Sequence, residues 1–291
     1  MTAAFALAVA LAAPAAPADD VKLMWKLNEG DSFYSQTKGN IEQTFNVMGK
    51  SVTQTIESET VVRYTVKSIK QGTTVVEITY LSNKTKAEGL PGADAANGKL
   101  KGVTLTATLD GKMEVIKLEG YDKVIDAIAG DNEQAKIAAK GLLPEAVVKQ
   151  GLNDTFALVP GGVTKVGGTW KRKDSIPLAG LGEVGVASTY KLDAVTNDVA
   201  AVSWTAIGTF KAGDGNLPGL PVKLSKADLK IEKLSGSYSF DLPKGRLTQS
   251  KTTMEMSGTM TFSANGKDVS MDVKQKLTQS AALSEKNPVK D

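Results

Sequence analysis

The chain contains no histidine and no cysteine. The two absences exclude Ser-His-Asp and Cys-His catalysis, imidazole and thiolate zinc sites, disulfides and histidine-based pH switching. Aromatic residues are scarce, at 5%. Glycine, threonine and serine are frequent instead, which favours turns and strands over a helical bundle. Neither sign of charge dominates: 35 basic residues face 32 acidic ones, a net +3. The basic residues are scattered. Lys171-Arg172-Lys173 is the one run of three, and Asp174 follows it. No nucleic-acid partner is therefore expected. On a sheet edge, such lysines discourage edge-to-edge association. No stretch reaches the apolar length of a transmembrane helix, so no transmembrane segment is expected.

The longest apolar run, residues 5–13, is too short to span a bilayer. Pro14 ends it, and Ala16-Pro17-Ala18 supplies the small-x-small pattern of a signal peptidase site. Residues 1–18 thus read as a signal peptide, although no Lys or Arg precedes Lys22. The expected location is the periplasm or the extracellular space. An exported chain of 291 residues is large enough to fold without disulfides.

From there the hydrophobic period is two. Ile41, Gln43, Phe45 and Val47 alternate with Glu42, Thr44 and Asn46. Gly49-Lys50 suits a type II′ turn into a return strand through Val52, Gln54 and Ile56. Val62, Tyr64 and Val66 form one side of the next strand. Gln71-Gly72 separates them from Val76, Ile78 and Tyr80. Leu105, Ala107 and Leu109 alternate with threonines before Asp110-Gly111. The later half repeats the style with Tyr190 and Leu192, then Val202, Trp204 and Phe210, then Tyr238 and Phe240. Met254, Met256, Met260 and Phe262 lead into Asn265-Gly266, a type I′ signal, and Val269, Met271 and Val273 return. One apolar and one polar side mean an antiparallel sheet wetted on one face. Only residues 121–150 show helical spacing, with Asp131 and Gln134 as a capping start.

The chain also matches itself in order. Gly30-Asp31-Ser32-Phe33 corresponds to Gly167-Gly168-Thr169-Trp170, and Tyr64 to Tyr190. Leu90-Pro91-Gly92 corresponds to Leu217-Pro218-Gly219, and residues 105–109 correspond to 238–242. The expected organisation follows. Residues 19–120 form a first β-meander copy, 121–150 a helical connection, and 151–291 a second copy with an extra C-terminal hairpin. The Gly-Asp-x-Phe opening and the Val166-Gly167-Gly168-Thr169-Trp170 restart resemble a family of uncharacterised secreted proteins of planctomycete-type bacteria, known as a domain of unknown function. The resemblance implies an envelope location and transfers no catalytic residue.

Motifs that would carry chemistry lack their context. Gly180-Leu181-Gly182-Glu183-Val184-Gly185 satisfies G-x-G-x-x-G, but a strand follows where a dinucleotide site needs a helix N-terminus. It reads as a hairpin tip. Ser35 and Lys38 have the S-x-x-K spacing, yet in a strand they point to opposite faces. Glu57, Glu59, Asp126, Glu133 and Glu183 are the carboxylates open to a glycosidase pair, and nothing singles out two of them. Asp193 with Asn197-Asp198 is a faint calcium pattern that more simply forms a turn. No metal and no cofactor are expected.

What remains is the apolar face. Met254, Met256, Met260 and Met271 share one side of the last hairpin, and methionine adapts to varied ligands. Tyr80, Trp204 and Phe210 are expected to line the same concavity. The sequence therefore predicts a mainly β fold: duplicated antiparallel meanders forming a large curved sheet or half-barrel pair, with helices between the copies. The function expected is a non-enzymatic envelope protein binding an apolar ligand, lipid or lipoprotein. The alternative is a structural or adhesive surface module with a protein or glycan partner.

Overall fold

The computed structural model describes residues 20–89, 97–178, 181–213, 215, 223–264 and 267–289. Its elements follow the chain as β1 (Val21–Leu23), β2 (Ser32–Val47), β3 (Lys50–Lys70), β4 (Thr73–Glu88), β5 (Thr104–Leu109) and β6 (Val115–Glu119). Next come α1 (Tyr121–Ala129), α2 (Glu133–Leu142), α3 (Glu145–Phe156), β7 (Gly162–Thr164), β8 (Thr169–Leu178) and β9 (Gly182–Thr196). The chain closes with β10 (Val199–Ala212), β11 (Lys223–Asp241), β12 (Arg246–Ala264) and β13 (Lys267–Ser284). Eleven strands make one antiparallel sheet in the order β6-β5-β4-β3-β2-β13-β12-β11-β10-β9-β8. The sheet is open, with β6 and β8 at its edges, and β1 pairs separately with β7.

Sequential hairpins explain all of this order except one seam, where β13 returns to lie beside β2. The tight turns are type I′, which match the twist of the strands. Met48-Gly49, Gln71-Gly72 and Asn197-Asp198 all have positive φ at both central positions. The first corrects the expected Gly49-Lys50 turn: Val47 pairs with Lys50, so Met48 and Gly49 are the central pair. Asn265-Gly266 lies outside the described residues, between the paired Ala264 and Lys267. The signal-peptide residues and both Leu-Pro-Gly matches also lie outside them. The helical stretch runs on to Phe156 rather than stopping at 150. The cap of α2 is Asn132, whose Oδ1 accepts from the Ala135 N–H at 3.0 Å, not Asp131.

The two glycine openings are built alike. The Gly30 N–H donates to the Val66 carbonyl and the Val66 N–H to the Asp31 carbonyl, both at 2.9 Å. The Gly167 N–H donates to the Leu192 carbonyl at 2.7 Å and the Leu192 N–H to the Gly168 carbonyl at 3.0 Å. Both glycines are left-handed, with φ of 88° and 84°. Each opening leads to a stacked cross-strand pair: Phe33 with Tyr64 at 5.1 Å, and Trp170 with Tyr190 at 5.5 Å. One residue is bulged out just beyond, Lys67 in one case and Asp193 in the other. β2–β6 and β8–β12 are thus two five-stranded meanders with like openings, and β13 lies in the seam between them. In this register Ala107 matches Tyr238, because they pair with Val76 and Val202. The sequence match of residues 105–109 to 238–242 is thereby moved by two places, which preserves its phase.

Strand register assigns every side chain to one of two faces. The inner face carries two separate cores. At one end Trp25, Phe33, Tyr64, Phe156 and Phe240 pack together, and β1 and the end of α3 plug the curl of the sheet. Trp25 Nε1 donates to the Phe156 carbonyl at 2.7 Å and the Tyr238 hydroxyl to the Leu158 carbonyl at 3.2 Å. At the other end Leu224, Leu229, Met260 and Val273 form a second core. Between them the inner face is mixed: the polar rows of Ser58, Gln279 and Thr252 and of Gln43 and Gln275 flank an apolar row of Ile41, Ile56, Leu277 and Met254. Phe33 and Phe45, in the two cores, are about 40 Å apart along β2 at roughly 3.3 Å per residue.

Candidate functional site

The four methionines expected at the site share one face of the last hairpin. Residues 254, 256, 260 and 271 all face inward, with Met260 opposite Met271 and Met256 opposite Gln275. Neighbouring strands come close to one another at glycines. A β-carbon on Gly208 would lie 2.6 Å from the Ile231 side chain, and one on Gly236 would lie 2.7 Å from the Trp204 ring. Those glycines leave room for the Ile231 and Trp204 side chains, and Phe210 packs against the methionine cluster.

The seven residues expected to line one concavity divide between the two cores. Met256, Met260, Met271 and Phe210 gather at the second core. Met254 faces the same way, half-buried and opposite Leu277. Tyr80 and Trp204 border the aromatic core instead. Trp204 lies against Gly236 and 6.0 Å from Tyr190, and burial pushes the Tyr80 hydroxyl above its usual pKa. The expectation missed Phe45, Phe262, Leu224 and Leu229, which complete the methionine cluster. Phe45 and Phe262 alternate correctly in sequence. Phe262 continues the methionine strand β12 itself, whereas only the β2–β13 pairing brings Phe45 beside it.

The cluster is open. Among the described residues its only buried members are Leu224, Leu229, Met260 and Val273, while Phe45, Met256, Phe262, Met271 and Phe210 are half-buried. Among the buried helical residues, Val124, Leu152 and Phe156 belong to the aromatic core at the other end. Towards the hairpin tips the same face continues into Val52 and Val269, 49% and 38% exposed. The site is thus an apolar face, not an enclosed cavity.

Two grooves among the described residues lie elsewhere and mix polar side chains with apolar surface. One of about 630 Å³ is lined by residues including Lys38, Asn40, Glu57, Glu59, Lys84 and Lys86. The other, about 590 Å³, includes Gln36, Asp193, Ser237 and Gln249. They share Lys38, Lys251 and Ser280.

Of the five candidate carboxylates, four are tied into the scaffold, while Glu57 is exposed and lines the first groove. Glu59 pairs with Lys38 at 3.8 Å and accepts from Gln36 at 3.1 Å. Asp126 and Glu133 share Lys136, each at 3.1 Å. Glu183 accepts from Ser175 at 3.2 Å. Asp193 is held below the usual carboxylate range, first by its hydrogen bond from Ser203 and then by Lys191. Its neighbours Asn197-Asp198 form the hairpin turn. No group of three acidic side chains among the described residues could hold a metal. Ser35 and Lys38 lie in β2, and Gly182 and Gly185 in β9. The Lys171-Arg172-Lys173 run lies in edge strand β8, where Arg172 pairs with Asp174 at 2.7 Å and donates to the carbonyls of Asn153 and Ala157 at the end of α3. No described helix is long and apolar enough to cross a membrane.

A family model of unknown function (DUF6263) matches residues 57–270, well over half of the chain. The chain belongs to that family. No curated protein matches the sequence. Among solved structures, one titled for lipid–protein interactions in lipovitellin is 12% identical with a TM-score of 0.39. The match covers 91% of this chain, which spans about a quarter, 26%, of that one. DynF, from the dynemicin pathway of Micromonospora chersina, is 11% identical with a TM-score of 0.19, covering 91% and 85% of the two chains. A triple mutant of the Rhodopseudomonas blastica porin is 8% identical with a TM-score of 0.24, covering 84% and 99%.

Proposed function

We propose that this chain is an exported, non-enzymatic protein of a bacterial envelope that holds an apolar ligand, a lipid or the acyl part of a lipoprotein. The binding surface is the methionine face of β10 to β13. One observation carries the reading: an open, half-buried patch of flexible methionine and phenylalanine side chains at the end of the sheet remote from the helices. Methionine repacks around chains of different shape, as a carrier of mixed acyl groups requires. The apolar run of residues 5–13 supports export. The ion-paired and hydrogen-bonded candidate carboxylates support a binding role over a glycosidase.

Native mass spectrometry of protein purified from its own envelope tests this reading, together with uptake of a fluorescent acyl probe. A co-purifying lipid is expected, and so is probe binding that falls at least tenfold in Met260→Glu, since a buried carboxylate opposes an apolar ligand. Bare protein that takes up no probe overturns the proposal. A second reading is favoured by the joined grooves around Lys38 and Lys251, which offer charged and hydroxyl side chains over apolar surface: a surface module for a glycan or protein partner. Calorimetric titration with envelope polysaccharide tests it, the heat being lost in Lys38→Ala with Lys251→Ala.

A further inference from the structure

Met48 is the least comfortable apolar residue of the chain. It takes the first central position of the β2–β3 turn with φ of 49°, and it is 87% exposed. Left-handed backbone is disfavoured for a bulky side chain, and type I′ turns ordinarily use Asn, Asp or Gly there. The other non-glycine residues with positive φ are explained locally. Gln71, Asn197 and Asp198 are polar turn residues, and Met113 packs against the aromatic core. Among the described residues Met48 alone combines strain, bulk, apolarity and full exposure.

Its surroundings extend the pattern. Phe45 is paired with Val52 and Phe262 with Val269, so the two exposed valines join the tip to the methionine cluster. Val47 pairs with Met271, which sets the Met48-Gly49 turn and the described ends of β12 and β13, Ala264 and Lys267, at one end of the sheet. Lys50, Lys223 and Lys267 are exposed at that end, and none has an ion-pair partner among the described residues. Asp268 accepts from Ser263 and Asp272 from Thr259, and both keep their charge, so the three lysines leave this end with a small positive excess over these two. An apolar wedge beside exposed lysines is complementary to a bilayer surface, where tails receive the wedge and anionic headgroups the cations.

We propose that this end of the sheet, led by Met48 with Val52 and Val269, docks this protein on an anionic bilayer. The methionine face then lies next to the membrane from which its ligand comes. This deepens the ligand reading and rests on it for its purpose, but it is tested apart from it.

The test uses the full chain and vesicles of phosphatidylcholine with or without phosphatidylglycerol. Flotation is expected with the phosphatidylglycerol vesicles, reduced by high salt. Met48→Asn is the informative variant, because Asn suits the turn and the fold is kept. It should lower vesicle binding about threefold to tenfold, the loss of one apolar side chain from the interface. Uptake of the soluble acyl probe should be unchanged. Wild-type protein that ignores phosphatidylglycerol vesicles overturns docking, as does Met48→Asn binding at wild-type strength. A dimer in sedimentation that Met48→Asn dissolves, with no vesicle effect, also overturns it and makes the tip a self-association surface. Vesicle binding that depends on Met48, in a protein that takes up no acyl probe, supports docking and defeats the ligand reading alone.

Discussion

Tyr64 lies between the rings of Phe33 and Phe156, 5.1 and 5.3 Å away, and this enclosure sets its titration. Burial disfavours the phenolate and pushes its pKa from 10.0 up to about 12. Unfolded protein releases this proton near pH 10, whereas folded protein keeps it to about pH 12. The stability it contributes is complete below pH 10 and is lost as pH rises from there to about 12. Denaturant titrations across that window should show stability falling, with Tyr64 accounting for about 2–3 kcal/mol. Tyr64→Phe should flatten the slope in part, since burial also raises Tyr190 and Tyr238. An unchanged slope would show that Tyr64 ionises freely. The neighbouring Phe156 is fully buried, and Phe156→Ala should cost about 3–5 kcal/mol in chemical denaturation.

At the scale of elements, the two glycine openings offer a paired experiment. Gly30 and Gly167 have φ of 88° and 84°, and a β-carbon on either would meet nothing within 4 Å. Substitution is therefore penalised by backbone conformation alone. Gly30→Ala and Gly167→Ala should each destabilise by about 1–2 kcal/mol, by similar amounts, in thermal or denaturant unfolding. Unequal costs would mean that the turns carry different loads despite their shared bonds. Strand periodicity made such elements legible from sequence: nearly every alternating run became a strand, and Gln71-Gly72 and Asn197-Asp198 became turns. Met48-Gly49 was misplaced by one residue, because glycine suits the first position of one turn type and the second of another. Asn132 was passed over as a cap because Asp131 has the same chemistry one residue away.

Across the whole molecule, sheet order and face composition escaped the sequence for a single reason. Gln43 and Gln54 stand in phase with Ile41, Phe45, Val52 and Ile56, so alternation alone puts them on an apolar face. Only the pairing of β2 with β13 sets Gln43 beside Gln275, to which it donates at 3.0 Å, and makes a mixed belt in which this polar row borders the apolar row of Ile41, Ile56 and Leu277. That belt divides the inner face into two cores that share strands but not side-chain packing. The aromatic core is sealed by β1 and α3, whereas the methionine core has four buried residues and an open rim. Local opening is easiest where few apolar contacts hold the ladder. Amide hydrogen exchange should therefore find residues 256–262 and 269–275 opening at lower free energy than residues 62–66 and 200–204, without global unfolding. Leu229→Ala should widen the gap, costing about 2–4 kcal/mol at the methionine end while protection around Tyr64 and Val202 persists. Uniform protection along β12 and β13 would mean that the belt couples the cores rather than insulating them. The methionine face would then be too rigid to reshape around a ligand.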